Sequence, residues 1–427
     1  MLDLNFIREN ADMVKKAIEQ KCVTLDLDAL LTLDREVAQL KTDIQSLQAE
    51  KNSISKDIPS ASNDDRPALI EKSKKLGTDI EEIKPKLDEA EAALKDLMYR
   101  VPNIPMESAP IGSSEDDNTI VKTWGEPRKF DFTPLDHVDL VEGQDWVDLK
   151  RVVKVSGSRS YALKGDAVLL EMALHQFTLN KLMNNGFTPI SVPALCREDA
   201  LYNSGHFPSG KEDVYYMERD DMYLAGTAEV VLNSLHADEI LDEKDLPISY
   251  CGYSPCFRRE AGSAGRDVRG LLRVHQFYKV EQYVICKNDQ AESAEWHKKL
   301  LGLAEELLQD LELPYQIVEC CTGDMGTGKY RMNDIETWTP SLETYRETHS
   351  CSTLFDWQAR RTNIRYRDAD GNVQFAHTLN NTGCATPRIL APFLENHQQA
   401  DGTIAVPEAL RPFLGGRSVL GTARDAE

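Results

Sequence analysis

The chain has 427 residues, enough for two or more folding units with a buried core. Lysine and arginine total 49 against 71 acidic residues, and the resulting charge of −22 argues against indiscriminate nucleic-acid binding, which depends on phosphate neutralisation. Recognition of a folded RNA by its shape, through local basic patches, remains compatible with this composition.

The N-terminal segment MLDLNFIREN lacks the basic region and apolar run of a secretory signal. No segment approaches the ~20 consecutive apolar residues that cross a bilayer, so we expect no membrane partner. The nine cysteines form no Cys-x-x-Cys pair. These features predict free thiols in a reducing cytoplasm and no structural zinc.

Two stretches near the N-terminus repeat apolar residues at spacings of four and three, the pattern of a coiled-coil seam. The first seam is interrupted once, by Lys51. Its apolar positions are Leu33, Val37, Leu40, Ile44, Leu47 and Ile54. Those of the second seam are Leu76, Ile80, Ile83, Leu87, Ala90, Leu94 and Leu97.

The segment KDIPSASNDDRP separates the seams and contains Pro59 and Pro67, which interrupt helices. Because this connector is short, the two helices are predicted to fold back as an antiparallel hairpin. Helices of about 30 residues would give an arm roughly 45 Å long. Pro85 should kink the second helix. A dimerisation zipper is the alternative interpretation.

The helical pattern stops at Val101-Pro102-Asn103, so we place a domain boundary between residues 1–103 and 104–427. Helices and short strands in irregular order follow, which is typical of an α+β fold. The predicted helices cover Ala167–Asn184 and Gln290–Leu311. The predicted strands lie around Tyr250–Phe257, Gln276–Cys286 and Thr362–Tyr366.

The most informative run is Phe257–Glu281, FRREAGSAGRDVRGLLRVHQFYKVE. Strand side chains alternate between faces, so Arg258 and Glu260 should share one face, as should Arg273, Phe277 and Glu281. Cations, carboxylates and an aromatic ring suit a ligand with phosphates, an ammonium group and a flat base, such as ATP with an amino acid. Weak solvated surface pairs are the alternative.

Three further segments carry candidate chemistry. Gly323–Tyr330 approaches a P-loop, but Tyr330 stands where that motif needs serine or threonine, which excludes it. Thr227-Ala228-Glu229 has the composition of a helix N-cap. In Glu347-Thr348-His349-Ser350, which Cys351 follows, His349 and the cysteine are an unconvincing nucleophile pair because no third group orients them. The carboxylate of Glu347 and the hydroxyl of Ser350 instead suit a hard cation.

These motifs resemble those of class II aminoacyl-tRNA synthetases. Phe-Arg-x-Glu, a loop and Arg-x-x-x-Phe-x-x-x-Glu resemble the second class II motif, and AGSAGRDVRG with RVHQF is similar to the seryl enzymes. Thr378–Arg388, followed by ILAPFLEN, resembles the third motif, and Gly186–Pro193 the first. The resemblance implies an antiparallel sheet flanked by helices, with an N-terminal coiled-coil arm.

The implied reaction forms seryl-adenylate from serine and ATP, then transfers the seryl group to tRNA. Arg258 would bridge the serine carboxylate and the α-phosphate, Glu260 would hold the adenine amino group, Phe277 would stack on the base and the Val274 backbone would read its edge. Arg259 belongs to the same ATP-binding set. The attacking carboxylate is already ionised, so this first step needs no strong base and depends on positioning and charge stabilisation.

By the same resemblance, Glu281 recognises serine, with Thr227 and Thr382 completing the pocket and Ala228 and Glu229 beside them. Alanine lacks the hydroxyl and would leave these polar groups unpaired, which supports discrimination of ~10⁴ or more.

Glu347 and Ser350 would hold Mg²⁺ on the phosphates, with Thr348 and His349 completing the ATP contacts, and Arg388 would meet the γ-phosphate. His349 replaces a serine common in the family. Pro387 replaces a glycine and suits the first turn of a helix. The scattered cysteines, including Cys384, predict no zinc. The GDMG stretch would be structural and lead into a core strand.

The implied partners are tRNA(Ser), bound through the arm, and a second copy of the chain in a homodimer, with the first motif at its interface. Whether the arm contacts tRNA on its own subunit or on its partner, and whether tRNA(Sec) is also charged, stay open. We expect the loop Ala261–Gly270 to become ordered when the tRNA acceptor end binds. The alternatives are a homologue that loads another acceptor and a coiled-coil protein with an inactive enzyme domain.

Overall fold

The computed structural model describes residues 1–261 and 270–423. The chain divides into two compact units, one comprising Leu2–Glu19 and Val23–Val101, the other Met1, Gln20–Cys22 and the chain from Pro102 onward. The helices are α1 Leu4–Glu9, α2 Ala11–Gln20, α3 Leu27–Asp57, α4 Arg66–Arg100, α5 His137–Gly143, α6 Leu149–Ser156, α7 Asp166–Asn184, α8 Glu198–Ser204, α9 Glu229–Ser234, α10 Gln290–Asp310, α11 Trp357–Thr362 and α12 Leu390–His397.

The strands are β1 Thr119–Trp124, β2 Thr188–Ser191, β3 Leu195–Cys196, β4 Tyr215–Met217, β5 Met222–Leu224, β6 Ile240–Asp242, β7 Ile248–Phe257, β8 Gln276–Cys286, β9 Tyr315–Glu319, β10 Arg331–Thr339, β11 Thr344–Phe355, β12 Arg365–Arg367, β13 Val373–Phe375, β14 His377–Ala385, β15 Ile404–Ala405 and β16 Val419–Leu420. No helix in residues 1–261 or 270–423 is long and apolar enough to cross a membrane.

The predicted hairpin is confirmed, since α3 and α4 pack side by side along the two seams. Its apolar positions are buried or half-buried, with Val37, Ile54, Leu76 and Leu94 among the buried ones. Exposed ion pairs also join the two helices, such as Lys41 to Glu91 at 2.6 Å. Such exposed pairs contribute little, so the apolar seam provides most of the stability.

The single polar interruption of the first seam has a structural explanation. Lys51 lies opposite Gly77, where a Cβ atom would stand 2.9 Å from the lysine Nζ. Because Gly77 has no side chain, the end of the Lys51 side chain can lie at this position. Gly77 therefore makes room for the single polar residue of the first seam.

Two prolines, Pro67 and Pro85, lie within the second helix of the arm. α4 runs from Arg66 to Arg100 through Pro85, and the kink expected there stays a prediction. Pro67 is its second residue, a position where the backbone N–H has no helical partner in any case. The break between the helices therefore falls before Arg66.

An eight-stranded sheet forms the centre of the second unit, in the order β1-β9-β10-β11-β14-β8-β7-β2. Every neighbouring pair is antiparallel except β2 with β7. This confirms the predicted α+β architecture. One core cluster contains Leu174 of α7, Leu303 of α10 and Phe393 of α12, which pack with residues of β8 and β14.

Alternate side chains of β8 point to opposite faces of the sheet, one towards this core and one away from it. Val280 and Val284 join the cluster with α7 and α10, whereas Tyr283 and Ile285 join a different cluster. Phe277 and Glu281 have the parity of Tyr283, so they lie on that second face. The predicted shared face of Phe277 and Glu281 follows from this alternation.

Two local predictions are wrong. Residues Thr362–Tyr366 do not form one strand, because α11 continues to Thr362 and Asn363 adopts a left-handed conformation before β12 begins at Arg365. Pro387 is not in the first turn of a helix, because α12 begins at Leu390. Pro387 lies instead in the turn between β14 and α12.

Candidate functional site

A cavity of about 280 Å³ opens on the face of the sheet that carries Phe277 and Glu281. It brings together most of the residues that the sequence predicted. Those that line it are Thr227, Glu229, Arg258, Glu260, Val274, Phe277, Glu281, Glu347, Thr348, Ser350, Thr382 and Arg388. Motifs distant in the chain therefore form a single site.

A buried polar cluster occupies one end of the cavity. Glu281 is ion-paired with Lys279, its neighbour on the same strand face, and accepts a hydrogen bond from the Thr227 hydroxyl at 3.3 Å. Lys279 also donates to Thr227, at 3.3 Å. Thr382 pairs with Glu281 across β14 and β8. A carboxylate, an ammonium group and two hydroxyls thus stand within one small buried region.

Burial raises the pKa of Glu281 to about 7. Lys279 opposes this by favouring the carboxylate, while nearby Glu229 disfavours it. The Glu229 carboxylate is itself held by Asn380, which donates to it at 2.9 Å. A ligand that carries an ammonium group would favour the ionised form of Glu281 and would find its counter-charge there.

Arg258 extends into the middle of the cavity. Its guanidinium carbon lies 5.3 Å from the centroid of the Phe277 ring, and its Nε donates to the Gly226 carbonyl at 3.4 Å. Desolvation and then the nearby Arg388 lower the pKa of Arg258. Two guanidinium groups that disfavour each other in a partly desolvated cavity provide a site for an anion.

Arg388 and Glu347 form an ion pair at 2.9 Å on another side of the cavity. Desolvation opposes ionisation of Glu347, but Arg388 and Arg258 outweigh it, so the pKa of Glu347 lies below its usual value. Arg388 follows β14, and Glu347 lies on β11, the neighbouring strand. The third-motif arginine and the candidate metal-binding carboxylate are therefore in direct contact.

A β-bulge explains how Glu347 and Ser350 can share the cavity although they are three residues apart. The register of β10 against β11 shifts between Ile335 and Glu336, which pair with His349 and Glu347 and leave Thr348 as the extra residue. A bulge re-aims side chains that strict alternation would place on opposite faces. Two oxygen ligands consequently reach the same cavity.

Three predicted site residues lie outside the cavity lining. Ala228 is buried against Gly252, and the Arg259 guanidinium donates to the Glu212 carbonyl at 2.9 Å. His349 is buried, and its Nε2 donates to the Gly383 carbonyl at 3.1 Å. Burial lowers the pKa of His349 to about 4, so its imidazole is neutral and structural in this arrangement.

Glu260 and Arg273 meet at the rim of the cavity. Their side chains form an ion pair at 3.0 Å, and Glu260 has a positive φ of 54° after β7 has ended. Arg273 precedes β8 and does not extend the face of Phe277 and Glu281 along a regular strand. Most of the loop Ala261–Gly270 lies outside the described residues, so its expected ordering by tRNA stays a prediction.

Several residues that line the cavity were not predicted from the sequence, among them Lys279, His206, Lys329 and Asn380. Lys279 stands midway between Phe277 and Glu281, so strict two-residue alternation would have identified it. Lys329 belongs to the Gly323–Tyr330 segment, which was considered structural only. Nothing in the local sequence distinguishes His206 or Asn380.

Potential metal ligands also occur away from the predicted magnesium position. Within residues 1–261 and 270–423, Cys320, Asp324 and Asp334 are grouped so that their ligand atoms lie within 4.8 Å of one another. All nine cysteines are free thiols, and eight of them are buried. The predicted absence of zinc stays a prediction.

Comparison with known proteins defines the class first. Residues 214–397 match the family model of the tRNA synthetase class II core domain (G, H, P, S and T). This match includes the residues of the second and third motifs that line the cavity. Residues 1–105 match the model of the seryl-tRNA synthetase N-terminal domain.

Relatives that match the whole chain then identify the family within that class. Serine–tRNA ligase of Deinococcus radiodurans is 59% identical over 99% of this chain and 99% of the relative. The crystal structure of seryl-tRNA synthetase from Pyrococcus horikoshii complexed with ATP matches with a TM-score of 0.90 and 39% identity, covering 99% of this chain and 100% of that chain. The chain belongs to the seryl-tRNA synthetase family.

A more distant member shares the same architecture. The cytoplasmic serine–tRNA ligase of Naegleria fowleri, in complex with AMP, matches with a TM-score of 0.86 and 29% identity over 99% of both chains.

Proposed function

We propose that the chain activates serine with ATP to form seryl-adenylate and then transfers the seryl group to tRNA(Ser). The observation that carries this proposal is the single cavity in which buried Glu281, Lys279 and Thr227 lie at one end and Arg258, Arg388 and Glu347 surround the remainder. An amino acid fits the first group and a triphosphate the second. The serine–tRNA ligase relatives support this assignment.

For ATP, we propose that the base stacks on Phe277, with Glu260 and the Val274 backbone at its edge. The two related structures in complex with ATP and with AMP support a nucleotide ligand for this chain. The Arg258 guanidinium lies over the Phe277 ring, where the base would stack. We propose that it moves aside when ATP binds and then bridges the serine carboxylate and the α-phosphate. Its planar fork suits two oxygen acceptors at once.

For serine, we propose that Glu281 accepts hydrogen bonds from both the ammonium group and the hydroxyl. Thr227 already bonds to Glu281, and Thr382 is its register partner, so both hydroxyls stand beside the substrate side chain. Lys279 is a positioning residue that holds the Glu281 carboxylate. Because these groups are buried, a substrate without a hydroxyl leaves them unpaired, which favours serine over alanine by ~10⁴.

The residues around Glu347 fit a magnesium ion. Glu347 before the bulge and Ser350 after it both supply oxygen ligands to the cavity, and Mg²⁺ prefers such hard ligands. Buried Asp334, the register partner of Ser350, has an Oδ1 atom with no hydrogen-bond partner in the described part of the chain. The ion would neutralise charge on the phosphates, while Arg388 orients the terminal phosphate.

We further propose that residues 1–103 form the tRNA-binding domain and residues 104–427 the catalytic domain. The N-terminal family match and the coiled-coil hairpin support the first assignment. The homodimer follows from the family resemblance, and exposed Leu169 and Met172 on α7 are candidate contact residues for it. Free thiols at all nine cysteines suit the predicted cytoplasmic location.

The deciding experiment is ATP–pyrophosphate exchange with serine, threonine, alanine and cysteine, followed by charging of purified tRNA. We expect exchange with serine, far weaker exchange with the other three, and transfer to tRNA(Ser). Absence of serine-dependent exchange would refute the proposal and favour an inactive enzyme domain. Exchange without any tRNA charging would favour a homologue that loads another acceptor.

The role of the arm is tested by deleting residues 30–100. We expect this deletion to abolish tRNA charging while serine-dependent exchange is retained, because the catalytic cavity contains no residue of the arm. Intact charging would contradict the tRNA-binding role. Charging of tRNA(Sec) can be measured with the same protein.

A further inference from the structure

The second chemical step, transfer of the seryl group to tRNA, releases a proton for which no accepting residue has yet been assigned. The attacking group in transfer is a ribose hydroxyl at the tRNA 3′ end, and it must lose its proton as it bonds to the seryl carbonyl. A general base at hydrogen-bond distance contributes typically 10²- to 10⁴-fold to such a step. This inference rests on the function proposed above.

His206 lies where such a base is needed. It lines the catalytic cavity and also an adjoining cavity of about 380 Å³. The two cavities share Arg258, Glu260 and Arg388 as well, so they communicate. The second cavity offers space beside the first for the tRNA 3′ end.

The backbone around His206 is fixed by packing. Gly205 ends α8 with a φ of 87°, and a Cβ atom there would stand 2.5 Å from the Trp357 ring. The His206 carbonyl accepts a hydrogen bond from Gly210 N–H at 2.9 Å. The imidazole therefore projects from a rigid turn.

The hydrogen bonds determine which imidazole nitrogen is the base. The Ser204 hydroxyl donates its only proton to the Leu201 carbonyl, at 3.2 Å. With that proton given to Leu201, the same hydroxyl oxygen accepts in its 2.9 Å contact with His206 Nδ1, and on this ground we assign the ring proton to Nδ1. In the neutral imidazole Nε2 then holds the lone pair, and no partner of Nε2 is found among the described residues.

Burial above all favours the neutral form of this imidazole. Desolvation lowers the pKa of His206, and Lys329, Arg258 and Lys279 lower it further against the opposing effect of Glu229. A base that is unprotonated at neutral pH, in a site crowded with cations, is ready to accept a proton.

We propose that His206 is the general base of seryl transfer. The ribose hydroxyl oxygen attacks the carbonyl carbon of seryl-adenylate, and its proton passes to His206 Nε2. The new ester C–O bond forms as the bond between the carbonyl carbon and the phosphate oxygen breaks, and AMP leaves with that electron pair. The imidazolium then returns its proton to solvent. Ser204 is a positioning residue that fixes the tautomer.

The test separates transfer from activation in the full-length enzyme. Transfer is measured in a single turnover from preformed enzyme-bound seryl-adenylate to tRNA(Ser) over a range of pH, and pyrophosphate exchange is measured in parallel. For His206→Gln and His206→Ala we expect the ratio of transfer to exchange to fall roughly 10²- to 10⁴-fold. The wild-type transfer rate should rise with pH through a pKa below the usual ~6.5 of histidine, and both variants should lose this inflection.

Two further variants make the result specific. Ser204→Ala keeps His206 but removes the hydrogen-bond partner of its Nδ1 atom, which fixes the tautomer, so a smaller loss of transfer is expected. His236→Gln is the matched control, because His236 lies outside both cavities and bonds to Glu239 and Tyr250. It should transfer at the wild-type rate.

The proposal is overturned if His206→Gln transfers at the wild-type rate or keeps the pH inflection, because glutamine can position a group but cannot accept the proton. An equal loss of exchange and transfer would also overturn it in favour of a structural role. Absence of serine-dependent exchange in the wild type would instead refute the proposed function itself, so the two failures are distinguishable.

Discussion

Replacing Glu281 by glutamine tests the serine pocket most directly. The substitution removes one charge and keeps the shape of the side chain. Hydrogen bonds to charged groups are worth ~1.5–3 kcal/mol, which corresponds to a loss of roughly 10- to 150-fold in kcat/KM for serine. Alanine makes no hydroxyl contact, so its activation should fall less, and the preference for serine over alanine should drop by roughly tenfold from ~10⁴.

Stability must be measured alongside activity, because Lys279 would be left buried without its counter-charge. Removing one partner of a buried ion pair costs ~3–5 kcal/mol. The double variant Lys279→Met with Glu281→Gln replaces both charges, and we expect it to recover most of the lost thermal stability without recovering serine activation. This separates loss of the fold from loss of recognition.

The pH dependence gives an independent measurement. Since burial raises the pKa of Glu281 to about 7, the carboxylate that accepts the substrate ammonium is the minor form below pH 7 and the major form above it. The kcat/KM of serine-dependent exchange should therefore rise between pH 6 and pH 8 and then level off, and Glu281→Gln should remove that rise. An unchanged preference for serine in the folded variant would refute the assigned role of Glu281.

Three other predictions concern the phosphates, the metal and the arm. Glu347→Ala and Arg388→Ala should each lose adenylate formation in the exchange assay yet keep the wild-type circular dichroism spectrum, and near-normal exchange in either would contradict its role. Chelation by EDTA should stop exchange and Mg²⁺ should restore it, whereas stoichiometric zinc required for activity would show the predicted absence of zinc to be wrong. Gly77→Ala should stabilise the arm by ~0.5–1 kcal/mol in thermal unfolding, since alanine favours the helix and only the flexible end of Lys51 must move; destabilisation would mean that the lysine cannot shift.

Local patterns were sufficient for the elements whose stability is local. The arm follows from a seven-residue repeat, because residues three and four apart share one side of a helix. The face shared by Phe277 and Glu281 follows from strand alternation. Pro67 shows the limit of such rules, since it was predicted to break the chain between the helices but is the second residue of α4.

The site itself required register and packing. Thr227 and Glu281 are 54 residues apart in the chain, and their hydrogen bond exists only because the turn before α9 lies against β8. Glu347 and Ser350 share a cavity because a bulge shifts the register of β11 against β10. Neither contact can be read from the spacing of residues in the sequence. A one-residue change in strand pairing alters which side chains face each other, and the sequence does not show the pairing.

The sequence by itself therefore determined the hairpin and the α+β class, because helix and strand periods can be read from neighbouring residues. The antiparallel sheet and the residues expected to bind a nucleotide and an amino acid followed from motifs that resemble those of class II synthetases. Only the tertiary structure decided that Lys279 holds Glu281, that Arg388 meets Glu347 and that His206 stands between two cavities. The contacts that bring separate segments together depend on strand pairing and core packing, and both are properties of the whole folded chain.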